Sequence, residues 1–236
     1  MSTAKESNFE YKSNNKYHYN GITIFAEKGV HEKTFEEFIQ LHKPKDTKIL
    51  ILGAGAGSFD QRLINNGFTN ITSVDLIKKF YIAKNKNIIE KNLNEDFDDL
   101  GEYDIIFAVE IIEHLENQFH FIRNTNKCLK KGGILFLSTP NTEAPFSRLS
   151  FLLKGTLNSF SENSLESLGH ITPIFRYILE YNIKKNHLTL SKTIGIGKIS
   201  INTKSILAFI GSIIYKTLSL FIKGGNTIIK LYIINK

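Results

Sequence analysis

The run Ile49-Leu-Ile-Leu-Gly-Ala-Gly-Ala-Gly-Ser58 constrains this chain more than any other stretch. A strand-length apolar segment stops at three alternating glycines and passes into a helix-like segment, which predicts a tight turn with little side-chain bulk above it. A ligand can then lie directly on main chain, with the amide N–H groups at the helix start favouring its electron-rich groups. Asp75, 22 residues after Gly53 in Ser-Val-Asp-Leu, falls at the end of the next predicted strand. A carboxylate there can accept hydrogen bonds from ribose hydroxyls, so the two features together predict a nucleoside-cofactor site.

The surrounding pattern alternates strands and helices. An amphipathic helix over Val30 to Leu41 is followed by strands at Ile49–Leu52, Ile71–Val74, Ile88–Leu93, Tyr103–Val109 and Ile134–Leu137. Helices are predicted over Phe59–Asn66 and Asn117–Lys130, the latter stopped by Gly132-Gly133. Near-continuous apolar strands separated by helices predict an α/β class with a doubly wound, mostly parallel sheet. The six acidic residues within Glu95 to Asp104 read as a solvated loop. Beyond Pro140, Ser147 to Ser167 reads as a helix and loop over the site, and Thr172-Pro173 as the N-cap and first position of a helix reaching Lys185. Leu188–Ile194 and Asn226–Ile234 read as closing strands around an apolar C-terminal helix, 205–223.

With 236 residues, of which 42% are hydrophobic and 18 are phenylalanine, the chain can bury one sizeable core, and no low-complexity linker divides it. The expectation is a single domain over 1–236, with a helical lead-in (1–45), a cofactor-binding core (46–141) and an acceptor-side cap with closing strands (142–236). Met1 to Asn20 has no apolar signal region, so a cytoplasmic location is expected. The single cysteine, Cys128, sits in a pattern of buried apolar positions and reads as structural.

The net charge of +7 is concentrated at the end of the chain, because no Asp or Glu follows Glu180 while nine lysines do. Across Ser205 to Lys223, Lys204, Ala208, Ser212, Lys216, Ser219 and Lys223 form a narrow polar stripe, and Ile, Leu and Phe cover the rest. Lys216 interrupts any span of the bilayer, so this helix is expected to lie at the inner face of an anionic membrane or to pack on protein. These lysines are threaded with Ile and Leu rather than stacking aromatics, which suits lipid better than nucleic acid.

The glycine turn, Asp75, the block Glu102-Tyr-Asp-Ile-Ile-Phe-Ala-Val-Glu-Ile-Ile-Glu-His-Leu-Glu-Asn117, and the later Leu-Lys-Lys-Gly-Gly and Ser-Thr-Pro-Asn segments resemble a class I S-adenosylmethionine-dependent methyltransferase. The flavour is that of the ubiquinone-biosynthesis O-methyltransferase group, over Ile49 to Asn141. The resemblance implies a seven-stranded Rossmann-like sheet whose last strand is antiparallel. It also implies that Gly53, Ala54, Gly55 and Gly57 line the methionine and ribose portions of the cofactor, and that Asp75 holds the ribose hydroxyls. Leu76 then borders the adenine, Asn92 and Leu93 flank its far edge, and Val109 and Glu110 close the pocket. Two departures stand out: Ile51 and Asn92 occupy positions where the family usually carries an acidic residue and often carries an Asp.

Methyl transfer from a sulfonium is an in-line displacement, so the protein must position an acceptor and exclude water. An alcohol acceptor must also lose its proton, for which His114, His170 and His31 are the candidates. A second possibility is a divalent cation such as Mg²⁺. Glu110, Glu113 and His114 are spaced for one helical face, His170 lies on a loop able to fold over them, and the set could lower the pKa of an acceptor hydroxyl. Small-RNA 2′-O-methyltransferases resemble this arrangement. The expected reaction is O-methylation of a small acceptor, first a sugar of a surface polysaccharide or a polyprenyl-linked intermediate, second a quinone ring, with an RNA ribose as a further alternative. A nicotinamide dehydrogenase uses a similar glycine turn, but its third fingerprint position falls here on Ser58. A cofactor-free scaffold, marked by Ile51 and Asn92, completes the alternatives.

Overall fold

The computed structural model describes residues 17–197, 217, 225 and 227–236. A short hairpin, β1 (His18–Tyr19) and β2 (Ile22–Thr23), precedes helix α1 (Val30–Ile39). The glycine-turn unit follows as β3 (Ile49–Leu52), α2 (Ser58–Asn65) and β4 (Ile71–Asp75), then β5 (Ile88–Glu90), β6 (Tyr103–Val109) and α3 (Gln118–Cys128). The chain continues through β7 (Leu129–Pro140), α4 (Pro145–Lys154), α5 (Glu162–Leu168), α6 (Arg176–Lys185), β8 (Thr189–Ile196) and β9 (Ile229–Asn235). The seven strands β3 to β9 form one sheet in the order β5-β4-β3-β6-β7-β9-β8. Strands β5, β4, β3, β6 and β7 run parallel, and β9 lies antiparallel to both β7 and β8. This is the doubly wound sheet expected, with the final strand reversed.

The apolar strands are continuous because both faces of the sheet are covered. Leu50, Leu52, Ile106 and Ala108 enter one core with Phe97, Phe121 and Leu179, while Ile49, Ile51, Ile105 and Phe107 enter the other with Phe38, Phe59 and Phe136. Alternate residues of one strand thus feed two different cores. Phe107 sits at the centre of the second, with ring centroids 4.7 Å from Phe59, 5.1 Å from Phe136 and 5.2 Å from Phe38. Phe107→Ala is expected to destabilise the fold by about 3–5 kcal/mol, since a buried aromatic leaves a cavity its neighbours cannot fill. In urea unfolding this reads as a lower midpoint with an unchanged slope, and Phe107→Leu should lose much less.

Several sequence expectations shift. Helix α3 stops at Cys128, and Gly132-Gly133 lie within β7 rather than beyond a helix. Their role is to kink the strand: Gly132 has φ 77°, and pairing with β6 slips between Tyr103 and Ile105. A Cβ on Gly133 would stand 2.8 Å from the Lys130 carbonyl oxygen. Thr172 does not cap α6, which begins three residues after Pro173 at Arg176. The Thr172 hydroxyl instead donates to the Leu115 carbonyl, tying the segment to the end of the 3₁₀ turn, Ile112–His114, that follows β6. The acidic run includes a 3₁₀ turn, Asp98–Leu100, with Asp98 and Asp99 paired to Lys127 and Lys91. The helix expected over 205–223 falls outside the described residues apart from Thr217. Among the described residues, no helix is long and apolar enough to cross a membrane.

Candidate functional site

The carboxyl ends of β3, β4 and β6 build the site. At the end of β3 the N–H groups of Gly53 and Ala54 both donate to the Val74 carbonyl, at 2.9 and 3.0 Å, which holds the glycine turn against β4. Gly53, Gly55 and Gly57 have φ of 76°, 55° and 86°, conformations that L side chains rarely adopt. Space is as restrictive as torsion. A Cβ on Gly53 would lie 2.8 Å from the Ile111 side chain, and one on Gly57 would lie 2.5 Å from the Ala83 Cβ.

Asp75 braces this turn from the next strand. Its Oδ2 accepts the Gly55 N–H at 2.7 Å and its Oδ1 accepts the Ile77 N–H at 3.0 Å, leaving further lone pairs for two ribose hydroxyls. Burial raises the Asp75 pKa, and the N–H groups of Ile77 and Gly55 oppose that rise. Leu76 is 60% exposed beside it, an apolar surface with room for a base. Asn92 spends its amide locally, accepting from the Asn94 N–H and donating to Glu95, while the Leu93 side chain packs into the core.

At the end of β6 the chain turns sharply. Glu110 adopts φ 50°, its N–H donates to both oxygens of Ser138, and its Oε2 accepts the Glu27 N–H at 2.6 Å. Burial pushes the Glu110 carboxyl up to about 7. The following residues form a 3₁₀ turn, Ile112–His114, rather than the α-helical face that the spacing suggests. The turn is locked to a distant segment: the Glu113 carbonyl accepts the N–H groups of Ile171 and Thr172, each at 3.0 Å. That lock delivers His170 to His114, with ring centroids 4.9 Å apart and planes at 78°.

One donor atom each from Glu113, His114 and His170 come within 4.8 Å of one another. The Glu110 carboxyl, committed to the Glu27 N–H, is not a member of this group. Glu113 is fully buried, and neither carboxyl oxygen has a hydrogen-bond partner; the Thr139 hydroxyl approaches without closing one. Burial, with Glu110 adding its charge, drives the Glu113 pKa well upward. The two imidazoles are held the opposite way. Burial and the neighbouring His170 lower His114 to about 4, and burial lowers His170. His114 Nδ1 lies 3.2 Å from the Gly169 carbonyl and His170 Nδ1 lies 2.8 Å from the Ser159 carbonyl, so each Nδ1 donates and each Nε2 keeps its lone pair. Two neutral imidazoles beside an orphaned carboxyl group, which a bound cation would hold ionised, form a donor set suited to a divalent cation. So low a pKa makes His114 a weak general base at neutral pH.

His31 lies apart from this pair. It lines a cavity of about 30 Å³ beside the glycine turn, together with Phe25, Ile51, Ala54, Ser58 and Val109. Burial, with the Arg62 charge, lowers its pKa to about 3, which makes it a weak base at neutral pH. Sequence reasoning missed Phe25, Glu27 and Ser58 at the site. Only Ser58, next to Gly57, was within reach of the glycine motif; the other two arrive from the lead-in through backbone and ring contacts that leave no pattern.

Residues 28–172 match a family model described as a methyltransferase domain. The chain is 32% identical over 105 residues to a ubiquinone biosynthesis O-methyltransferase of Pelagibacter ubique, covering 41% of this chain and 43% of that protein. It is 34% identical over 116 residues to the protein of the same name from Rickettsia typhi, covering 44% and 46%. The chain thus spans less than half the length of these curated relatives. Among solved structures, a SAM-dependent methyltransferase from Archaeoglobus fulgidus superposes with a TM-score of 0.56 at 17% identity, over 88% of this chain and 93% of that one. A putative sarcosine dimethylglycine methyltransferase from Galdieria sulphuraria gives 0.60 at 15% identity, over 87% and 84%. With more than half its length matched by the family model, the chain belongs to the methyltransferase-domain family.

Proposed function

We propose that this protein transfers a methyl group from S-adenosylmethionine to a hydroxyl oxygen on an aromatic, quinone-type ring, assisted by a divalent cation. The carrying observation is the buried, unpartnered Glu113 carboxyl set against two neutral imidazoles at the cofactor edge of the sheet. An N- or C-methyltransferase has no need of a cation site beside the methyl donor, whereas an acceptor hydroxyl must be deprotonated. Similarity to two ubiquinone O-methyltransferases favours a ring hydroxyl over the sugar oxygen that a lysine-rich tail suggests.

In this reading Asp75 fixes the ribose, the glycine turn supports the nucleoside, and the segment Gly169–Thr172 covers the acceptor side to exclude water. Glu113, His114 and His170 would hold the ion. When bound it lowers the pKa of an acceptor hydroxyl and orients it. Two imidazoles among three donors favour a first-row transition ion over Mg²⁺.

Incubation with labelled S-adenosylmethionine and a panel of prenylated dihydroxybenzenes, nucleosides and sugars tests this directly. Label is expected on a ring hydroxyl, with turnover lost in EDTA and restored by Zn²⁺, Mn²⁺ or Co²⁺. Transfer to sugars alone would overturn the acceptor assignment, and chelator-resistant turnover would overturn the cation.

A further inference from the structure

Parallel neighbours in a sheet are usually joined through an α-helix, yet β4 and β5 are linked across Leu76 to Asn87 by a 3₁₀ turn, Lys78–Phe80, and a ribbon without helix or strand. Alternate residues pin that ribbon to the body of the protein. The Tyr81 hydroxyl donates to Asp60, a fully buried acid that also accepts from Ser73 and Asn85, and the Asn87 amide donates to the Thr72 hydroxyl at 2.7 Å. Main chain adds two more anchors: the Ile82 N–H donates to the Ala56 carbonyl and the Lys84 N–H to the Gln61 side chain, each at 3.1 Å. Tyr81 and Ala83 also close over Gly57, so the ribbon lies directly on the glycine turn.

With Tyr81, Ala83 and Asn85 held inward, Phe80, Ile82, Lys84 and Lys86 are left outward, Phe80 44% and Ile82 64% exposed. Leu76 to Ile89 contains four lysines, Lys78 and Lys79 being the other two, and no Asp or Glu. The flanking Glu90 accepts the Lys78 main-chain N–H. Among the described residues, the lysines paired with carboxylates are Lys33, Lys91, Lys127, Lys130 and Lys192, so none of the four ammonium groups of the ribbon is neutralised. Large apolar side chains held at the surface beside uncompensated cations match an anionic bilayer. The apolar groups enter the acyl boundary while the ammonium groups stay among the phosphates. A nucleic acid would satisfy the lysines but leave Ile82 unused, because an aliphatic side chain gives a base no stacking face.

We propose that the ribbon from Lys78 to Lys86 docks on an anionic phospholipid bilayer, Phe80 and Ile82 entering the acyl boundary and the four lysines meeting the headgroups. The ribbon leaves the carboxyl end of β4, so docking brings the glycine-turn edge of the sheet to the lipid surface. This surface is distinct from the lysine-rich tail and requires nothing of the cofactor or acceptor reading.

The test uses the full chain with vesicles of phosphatidylcholine alone or mixed with phosphatidylglycerol. Cosedimentation is expected with the mixed vesicles only and should decline as salt is raised. Combining Lys84→Gln with Lys86→Gln should weaken partitioning by about thirtyfold, roughly fivefold per lysine. Combining Phe80→Ser with Ile82→Ser should weaken it by about tenfold. All four side chains are exposed, and circular dichroism checks that both variants fold as wild type does. Because Cys128 is buried, Ile82→Cys takes a polarity-sensitive fluorophore selectively, and its emission should shift to the blue when anionic vesicles are added. Absence of vesicle binding by the wild type would overturn the proposal. So would wild-type partitioning in both double variants, or a label that stays in water while the protein sediments, since either puts the lipid contact elsewhere in the chain. Binding of single-stranded RNA that depends on these lysines, without vesicle binding, would reassign the ribbon to nucleic acid.

Discussion

Asp75→Ala should weaken S-adenosylhomocysteine binding by roughly a hundredfold to ten-thousandfold. Two ribose hydroxyls donating to one carboxylate are charge-assisted hydrogen bonds, each contributing about 1.5–3 kcal/mol. The same substitution frees the Gly55 and Ile77 N–H groups, whose bonds of 2.7 and 3.0 Å hold the turn in its binding shape. Asp75→Asn separates the two effects, since its amide oxygen can still brace one N–H but receives fewer hydroxyls. An intermediate loss of about tenfold is expected. Because burial holds the Asp75 pKa above its ordinary value, affinity should also fall as pH is lowered, beginning above the usual carboxylate range. The sign follows from chemistry: the ligand prefers the ionised acid, so protonating the free protein opposes binding. Wild-type affinity in Asp75→Ala, measured by calorimetry, would place the cofactor elsewhere.

Glu113→Leu should produce opposite effects on turnover and on stability. Removing the carboxylate of a three-donor set is expected to abolish measurable cation binding and to lower kcat by about a thousandfold, the scale of several kcal/mol of charge stabilisation. S-adenosylhomocysteine affinity should be unchanged, because Glu113 is not part of the ribose cradle. The metal-free variant, however, should be more stable than metal-free wild type by about 1–3 kcal/mol, since two buried oxygens without partners are replaced by hydrocarbon. Adding the cation should reverse that order, because it binds the folded wild type and not the variant. Thermal denaturation of both proteins with and without Zn²⁺ reads the crossing. If Glu113→Leu destabilises the protein under both conditions and leaves turnover intact, Glu113 is a structural acid.

What could be read from the chain alone follows the range of the interactions involved. The glycine turn, Asp75 and the alternating strands are local or periodic, so a doubly wound, mostly parallel sheet and an acid at the end of β4 beside the glycine turn were legible. Glu113 and His114 were legible as candidates, but their geometry was not. The spacing suggests an α-helical face, whereas the chain leaves β6 through Glu110 at φ 50° into a 3₁₀ turn that separates Glu110 from the other three. His170 joins the group because main-chain N–H groups at 171 and 172 bond to the Glu113 carbonyl, and main-chain bonds carry no sequence signature. Gly132-Gly133 resembles a helix stop because glycine marks both helix ends and strand kinks, and only pairing with β6 decides between them. The helix after Pro173 starts late because the Thr172 hydroxyl is spent on Leu115.

The clearance around Gly53 and Gly57 bears on how such chains are to be interpreted across evolution. Any side chain at these positions would collide with Ile111, Ala83 or Tyr81 before a cofactor ever arrived. Both glycines would therefore be retained by a descendant that had lost its chemistry, simply to stay folded. The motif attests to ancestry and architecture; a living activity is better diagnosed by Glu113, whose burial without a partner is a liability unless something binds it.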